Sequence, residues 1–345
     1  MSKPSFATDY EEGAHPAILK RLVETNLEQS VGYGLDPVSE SARDRIRTAC
    51  ACPQAAVHFL IGGTQVNTTM LDALLASYEG VVAADTAHVA LHEAGAIEAG
   101  GHKVLTLPGT NGKITSEQVD EFCSIAEADG SRDHMVFPGV VYLSQPTEYG
   151  TLYSLDELER MRTVCDRHSL RLYIDGARLA YALASPANDV TLPDLARLCD
   201  AFYIGGTKCG ALLGEAVVVP DPNLIPHLFT IIKQHGALLA KGRLLGIQFD
   251  ELFRDDLYLR IGKPALKAAD ALRALFKQVG LKLAFDSPTN QTFVVLENQQ
   301  MERLAKLVEF DFWERADATH TVVRFATSWA TRMEAVEALR QELLG

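Results

Sequence analysis

The chain has 345 residues, a length that suits about two domains, one of them large enough to bury a substantial core. Hydrophobic residues make up 47% and charged ones 22%, as in an ordinary folded soluble chain, so disorder and fibrous repeats are excluded. Thirty-two basic against 45 acidic side chains leave a net charge of −13, which disfavours nucleic-acid backbones and anionic membrane surfaces as principal partners.

No run approaches the roughly 18–20 apolar residues that a membrane span needs. The opening Met-Ser-Lys-Pro-Ser-Phe-Ala-Thr-Asp has no apolar stretch of the kind a secretory leader carries. Six cysteines, with Cys50 and Cys52 one residue apart and no CxxC pair, read as free thiols of a cytoplasmic protein.

In chain order, β-rich runs are expected at Ala56–Leu60, Gly80–Ala84, Lys103–Leu107, Val136–Leu143, Leu170–Ile174, Ala201–Ile204 and Ala216–Val219. Helical spacing over Thr68–Tyr78, Leu155–His168 and Leu192–Cys199 supplies crossovers, and Ser154 with Glu157 has capping-box spacing. Strands alternating with helices imply an α/β fold, a mostly parallel sheet covered on both faces. A helix is expected after Gly236. From about residue 250 the texture becomes α+β: helix Pro264–Val279, strand Phe293–Glu297, helix Met301–Val308, strand Val322–Thr327 and helix Met333–Leu344. The expected division is a large domain over 1–249, including an N-terminal segment, and a smaller one over 250–345.

Four local constellations carry chemistry. Tyr203-Ile204-Gly205-Gly206-Thr207-Lys208-Cys209-Gly210 sets a lone lysine in a glycine-rich turn at the carboxyl end of a strand, where open α/β sheets hold ligands. The plainer reading is an exposed loop lysine. Tyr173-Ile174-Asp175-Gly176-Ala177-Arg178 ends a strand on a carboxylate, which burial makes costly unless a cation meets it. That cation is either Arg178, with Asp175 capping the next helix, or a protonated ring nitrogen of a ligand. Ile61-Gly62-Gly63-Thr64-Gln65 has the N–H donors and hydroxyl of a phosphate cradle, or of ordinary helix capping. Asp85-Thr86-Ala87-His88, with His92 and Glu93, places an imidazole at a strand end; the order His-x-x-x-His-Glu is wrong for a hydrolytic zinc helix, so no metal is expected. Together they offer what pyridoxal phosphate requires: an imine-forming amine, an anion for the ring nitrogen, donors for the phosphate and a ring-stacking group. A Rossmann dehydrogenase is disfavoured by the missing glycine fingerprint, and a non-catalytic binding protein would not require the lysine.

The segments Thr8-Asp9, Tyr33-Gly34-Leu35-Asp36-Pro37, Gly63-Thr64-Gln65, His88 with Glu93-Ala94-Gly95, Asp175-Gly176-Ala177-Arg178, Gly206-Thr207-Lys208 and Val323-Arg324-Phe325-Ala326-Thr327 together resemble the low-specificity threonine aldolases. These belong to the aromatic amino acid β-eliminating lyase/threonine aldolase family of fold-type-I pyridoxal-phosphate enzymes. The resemblance implies a lyase that splits a β-hydroxy-α-amino acid of the threonine, allo-threonine or phenylserine type into glycine and an aldehyde. The alternative is β-elimination or transamination of another amino acid with the same cofactor. It implies Lys208, His88, Asp175 and Arg178 as catalytic residues, which also contact the cofactor together with Gly63, Thr64, Thr207 and Lys241. Thr8, Tyr33, His92, Glu148, Arg178 and Arg324 are then the substrate residues; Arg324 has the plainer alternative of pairing with a carboxylate of the small domain. A homodimer or homotetramer with shared sites is implied, Tyr33 and Lys241 coming from the neighbouring subunit.

The chain departs from that pattern in four places. Thr207 stands where relatives usually have serine, and Leu35 replaces a usual acidic residue. Gln145-Pro146-Thr147-Glu148-Tyr149-Gly150 lacks a histidine that many relatives carry, leaving Glu148, His92 or a water to act on the β-hydroxyl. The phosphate arginine expected near Gly236 to Arg243 has no clean counterpart, leaving Lys233, Lys241 or Arg243.

Overall fold

The computed structural model describes residues 3–344; positions 1, 2 and 345, at the outer limits of the expected domains and in the opening segment, lie outside it. Seven strands form the larger sheet: β1 (Ala56–Leu60), β2 (Glu79–Ala84), β3 (Val104–Leu107), β4 (Phe137–Ser144), β5 (Arg171–Asp175), β6 (Ala201–Gly205) and β7 (Glu215–Val219). Their spatial order is β1-β7-β6-β5-β4-β2-β3. Neighbours from β6 through β3 pair in parallel, while β7 runs antiparallel to both β1 and β6. The reversal has a simple cause. A parallel return needs a crossover of about a dozen residues or more, and the turn from Gly205 to Glu215 is too short for one. Every residue of β6 and β7 is buried, as the unbroken apolar run Ala216–Val219 requires of a sheet covered on both faces.

Helices depart from expectation mainly at their ends. The helix expected from Thr68 begins at Gly63 and stops at Leu74, taking the Gly-Thr of the cradle into its first turn. Ser154 and Glu157 form the expected capping box at the head of Leu155–Arg167. The helix after Gly236 starts only at Arg243 and runs to Leu252. Among the helices not anticipated, such as Ser116–Ala128, two near the start of the chain, Pro16–Glu24 and Pro37–Ala49, carry proline in the first turn, where its missing N–H does no harm. The second is capped by Asp36, whose Oδ1 accepts from the Ser39 amide at 2.9 Å.

The second sheet is antiparallel, with strands β8 (Lys282–Leu283), β9 (Gln291–Glu297), β10 (Asp311–Arg315) and β11 (His320–Ala326) in the order β10-β11-β9-β8. Helices Lys263–Gln278 and Met333–Leu344 supply Leu272, Leu275, Phe276, Val336 and Leu339 to its core, with Val294 and Phe325 from the strands. Phe6 completes that core: its amide bonds Glu309 at 2.9 Å and its carbonyl accepts from Ala326 at 2.8 Å, so the N-terminal segment stitches to the small sheet. Strand β10 is absent from the expected elements. It is an edge strand, without a fully buried residue, and carries a bulge between Phe312 and Glu314, so apolar alternation does not mark it.

Helices Pro37–Ala49 and Arg243–Leu252 approach closely because Gly246 presents no side chain. A Cβ there would lie 2.7 Å from the Cα of Ser39. Gly246→Ala is therefore expected to lower stability by about 1–3 kcal/mol through overpacking, seen as a reduced denaturant midpoint at unchanged slope.

Candidate active site

The carboxyl ends of β1, β2, β5 and β6 open on a cavity of about 750 Å³. It is lined by Gly63, Thr64, His88, His92, Glu148, Asp175, Arg178, Thr207, Lys208 and Arg324, so ten of the residues singled out in the sequence come together from six separate stretches of the chain. Thr8, Tyr33 and Lys241 are not in the lining. Thr8 donates to Glu11 at 3.3 Å, while Tyr33 is partly exposed with the Lys233 ammonium 4.7 Å above its ring. A second cleft of about 770 Å³, lined by residues including Pro37, Arg45, Asp256 and Leu259, holds none of them.

Asp175 ends β5 and is 4% exposed. Its hydrogen-bond partners are all neutral: Oδ1 accepts from Tyr203 at 2.6 Å and from the Ala177 amide at 2.9 Å, Oδ2 from Tyr142 at 2.5 Å and from Asn67 at 3.1 Å. Burial pushes this carboxyl up, but the nearby His88 and the two phenols outweigh burial and hold it below the usual carboxylate value. The same partners drive the Tyr142 and Tyr203 phenols far above theirs, chiefly through burial and the Asp175 charge, so both remain donors. Arg178, the plainer partner for Asp175, turns elsewhere. Its Nε and Nη2 donate to the two oxygens of Asp9 at 2.7 and 3.0 Å, and Nη1 lies 3.7 Å from Glu148. Buried with that fork–fork partner, Asp9 is held down at about 2 even though burial opposes it. Asn290, just before β9, adds a third donor to Asp9 at 2.9 Å, joining the N-terminal segment, the turn after β5 and the approach to the small sheet at one carboxylate.

His88 opens a one-turn helix after β2, and its Nδ1 lies 2.8 Å from Glu93 Oε1. The same oxygen accepts from Asn67 at 2.7 Å, so one amide group bridges Glu93 and Asp175. Burial lowers the His88 pKa, but the Glu93 hydrogen bond and the charges of Glu148 and Asp175 win, and it rises above its ordinary value. For His92 burial prevails and the pKa falls.

On the opposite wall Arg324, from β11, donates to Gln291 at 3.2 Å and to Asp311 at 2.8 Å, the plainer partner anticipated for it, while still lining the cavity. Its guanidinium lies 5.3 Å over Trp313, a ring braced edge-on by Tyr149 and Phe293 at 5.3 and 5.0 Å. Asp311, Phe312, Trp313 and Glu314 all come from β10, which sequence reading missed; the Phe312-Trp313 pair amid charged residues was its one signal. Asn67, Tyr142, Tyr203 and Glu215 were missed too, being indistinguishable in sequence from ordinary core.

At the remaining end lies the glycine cradle, with Gly62 as the cap residue of helix Gly63–Leu74. Of the cations proposed there, Arg243 is spent on the carbonyls of Glu28 and Thr25 and Lys233 sits over Tyr33; Lys208 is the ammonium in the lining.

The family profile described as Beta-eliminating lyase matches residues 5–305. The chain is 31% identical to the low specificity L-threonine aldolase of Pseudomonas aeruginosa, over 98% of this chain and 96% of that one, and equally to that of a Pseudomonas species over 87% and 86%. Among solved structures, the threonine aldolase of Leishmania major superposes with a TM-score of 0.95 at 41% identity, covering 99% of this chain and 98% of that one. An aspartate aminotransferase of Thermus thermophilus, at 14% identity and TM-score 0.72 over 99% and 91%, shares the fold.

The Glu93–His88 pair carries a pH signature. Because the folded pKa of His88 is raised, the pair's contribution to stability is full below about pH 6.5, the unfolded value, and is lost as pH rises through the folded value. Glu93→Gln should lower the His88 pKa in an imidazole proton NMR titration and narrow the stability gap between pH 6 and higher pH; an unmoved titration refutes the coupling.

Proposed function

The chain belongs to the beta-eliminating lyase family and has the fold-type-I architecture of pyridoxal-phosphate enzymes, and from that premise we propose that it cleaves a threonine-type β-hydroxy-α-amino acid into glycine and an aldehyde. The observation that carries this is the meeting of Lys208, Asp175, Arg178 and Arg324 on one cavity, in a chain alike along nearly its whole length to threonine aldolases.

The residues suit pyridoxal phosphate. Asp175 is a buried carboxylate whose four partners are neutral, so its charge is left for a cation arriving in the cavity, such as a pyridinium nitrogen. Lys208 is the amine that would hold the coenzyme covalently, His88 the ring lying against it, and Gly63, Thr64 and Thr207 the donors for its phosphate. When bound, the coenzyme supplies an electron sink for the bond broken at the substrate Cα.

Arg178 and Arg324 are assigned the substrate carboxylate. Asp9 and Asp311 hold them in place from behind, leaving Arg178 Nη1 and the cavity edge of Arg324 for a ligand. His92, whose pKa burial lowers, is neutral at pH 7 and is assigned the β-hydroxyl proton, with Glu148 beside it taking the place of the histidine of relatives. Trp313 and Tyr149 wall the side-chain end.

Thr8, Tyr33 and Lys241 do not reach this cavity, and Tyr33 and Lys241 are assigned to the site of a second copy. Leu19, Val23, Leu27, Val31, Tyr33 and Leu35 are exposed apolar residues in one segment, which a homo-oligomer would bury. The division into domains 1–249 and 250–345 and a cytoplasmic location complete the reading.

Lys208→Ala is expected to remove the visible absorbance of the bound coenzyme and all release of glycine from L-threonine; a variant that stays yellow and active refutes the assignment of the lysine. Product analysis with L-threonine, L-allo-threonine, phenylserine and L-serine separates the chemistries. Glycine with an aldehyde supports carbon–carbon cleavage, whereas pyruvate with ammonia establishes β-elimination instead. Trp313→Ala should weaken the hold on Arg324 and raise KM for the amino acid by about tenfold, in line with loss of about 1–2 kcal/mol of cation–π and packing interaction.

A further inference from the structure

A buried carboxylate borders the cavity beside the turns that suit a phosphate. Glu215 opens β7 and is 3% exposed, yet it borders the cavity. Strand register explains its position. Glu215 stands opposite Leu60 of β1 on one side and Gly205 of β6 on the other. It therefore lies between the two turns that these strands run into, Ile61-Gly62-Gly63-Thr64 and Gly206-Thr207-Lys208.

Its oxygens are occupied by the groups an incoming anion would want. Thr207 Oγ1 donates to Oε1 at 2.7 Å and the Gly206 amide donates to Oε2 at 2.8 Å. Gly214 in turn donates to Thr207 Oγ1 at 3.0 Å, which fixes the hydroxyl with its single hydrogen turned to Glu215. In this arrangement Thr207 has no hydrogen for a phosphate, and an ionised Glu215 would repel one.

We propose that Glu215 takes up one proton when a phosphate group settles on the Gly62–Thr64 turn, so that the Thr207 hydroxyl is released to donate to that phosphate. The identity of the phosphate carrier as pyridoxal phosphate rests on the functional reading above; the proton uptake does not. No covalent bond other than O–H changes: the proton comes from solvent to a Glu215 oxygen, and the Thr207 hydrogen swings from Glu215 to the anion.

The charged and titratable groups facing Glu215 are Lys208 on its own turn, Asp175 at the end of β5, Tyr173 of β5, Tyr203 of β6, Cys209, and Tyr258 of helix Leu257–Ile261. The tyrosines and the cysteine are neutral at pH 7, their pKa values raised by burial. Burial raises the Glu215 carboxyl to about 7; its bonds to Thr207 and Gly206 and the Lys208 charge oppose this only in part. A small added repulsion is then enough to protonate it near neutral pH.

The linkage sign follows. An anion that raises the Glu215 pKa binds best where the residue is already protonated, below about pH 7, and loses affinity as pH climbs through that value. The test uses the full-length chain freed of coenzyme, titrated with pyridoxal phosphate, with pyridoxal, which lacks the phosphate, and with inorganic phosphate. Calorimetry at pH 8.5 in two buffers of different ionisation heat counts protons. Uptake should be near one for inorganic phosphate, and pyridoxal phosphate should take up about one more than pyridoxal, the shared imine chemistry cancelling. Between pH 6 and pH 8 the unsubstituted chain should lose about tenfold more phosphate affinity than Glu215→Gln. Equal slopes in the two proteins, or no uptake at pH 8.5, overturn the proposal. If Glu215→Gln does not fold, the proton count on the unsubstituted chain decides alone. If pyridoxal phosphate fails to bind at any pH, the functional reading falls, while inorganic phosphate still decides proton uptake.

Discussion

The site depends on keeping one nearly buried carboxylate ionised at the edge of the cavity. Removing a charge of that size from water costs several kcal/mol even after relaxation, and Asp175 offsets it with two phenols, a side-chain amide and a backbone N–H. Each bond to a charged acceptor contributes about 1.5–3 kcal/mol, and these four bonds together with the nearby His88 charge offset the penalty. That balance leaves a negative charge at the end of the central strand β5, satisfied in its lone pairs but not in its electrostatics. A cation entering the cavity completes it.

The surrounding elements follow from that arrangement. Tyr142 and Tyr203 come from the strands on either side of β5; register sets Tyr142 opposite Tyr173, two residues before Asp175, and its long side chain reaches forward to that carboxylate. Asn67, on the helix that begins at the glycine cradle, binds Asp175 and Glu93 with one amide and so ties the His88 turn to the same point. Arg178, three residues past Asp175, is held away from it by Asp9, which recruits the N-terminal segment and Asn290. Two opposite charges close in sequence are thereby kept apart, each available to a different part of a ligand. The positive wall has its own cost. Burial and the neighbouring Arg178 lower the pKa of Arg324, and Asp311 and the Trp313 face compensate.

Much of this was legible in the chain. Apolar runs bounded by glycines placed the seven large-sheet strands to within a residue or two, because buried parallel strands leave little choice of composition. Lys208, Asp175, His88 and the Gly63-Thr64 turn stood out because each follows directly on such a strand. Strand β10 did not, since an exposed, bulged edge strand has no period to read. Nor did Glu215, which in sequence is only the polar first residue of an apolar strand.

Sequence alone determined which chemistry the chain carries and that it sits at strand ends, because local pattern dictates where strands stop and which side chain comes next. Only the tertiary structure decided which groups answer one another: that Arg178 belongs to Asp9 and not to Asp175, that Trp313 backs Arg324, and that Glu215 accepts from Gly206 and Thr207. Those pairings arise from register and layer packing between segments up to hundreds of residues apart, and nothing within any one segment encodes the neighbour it will meet.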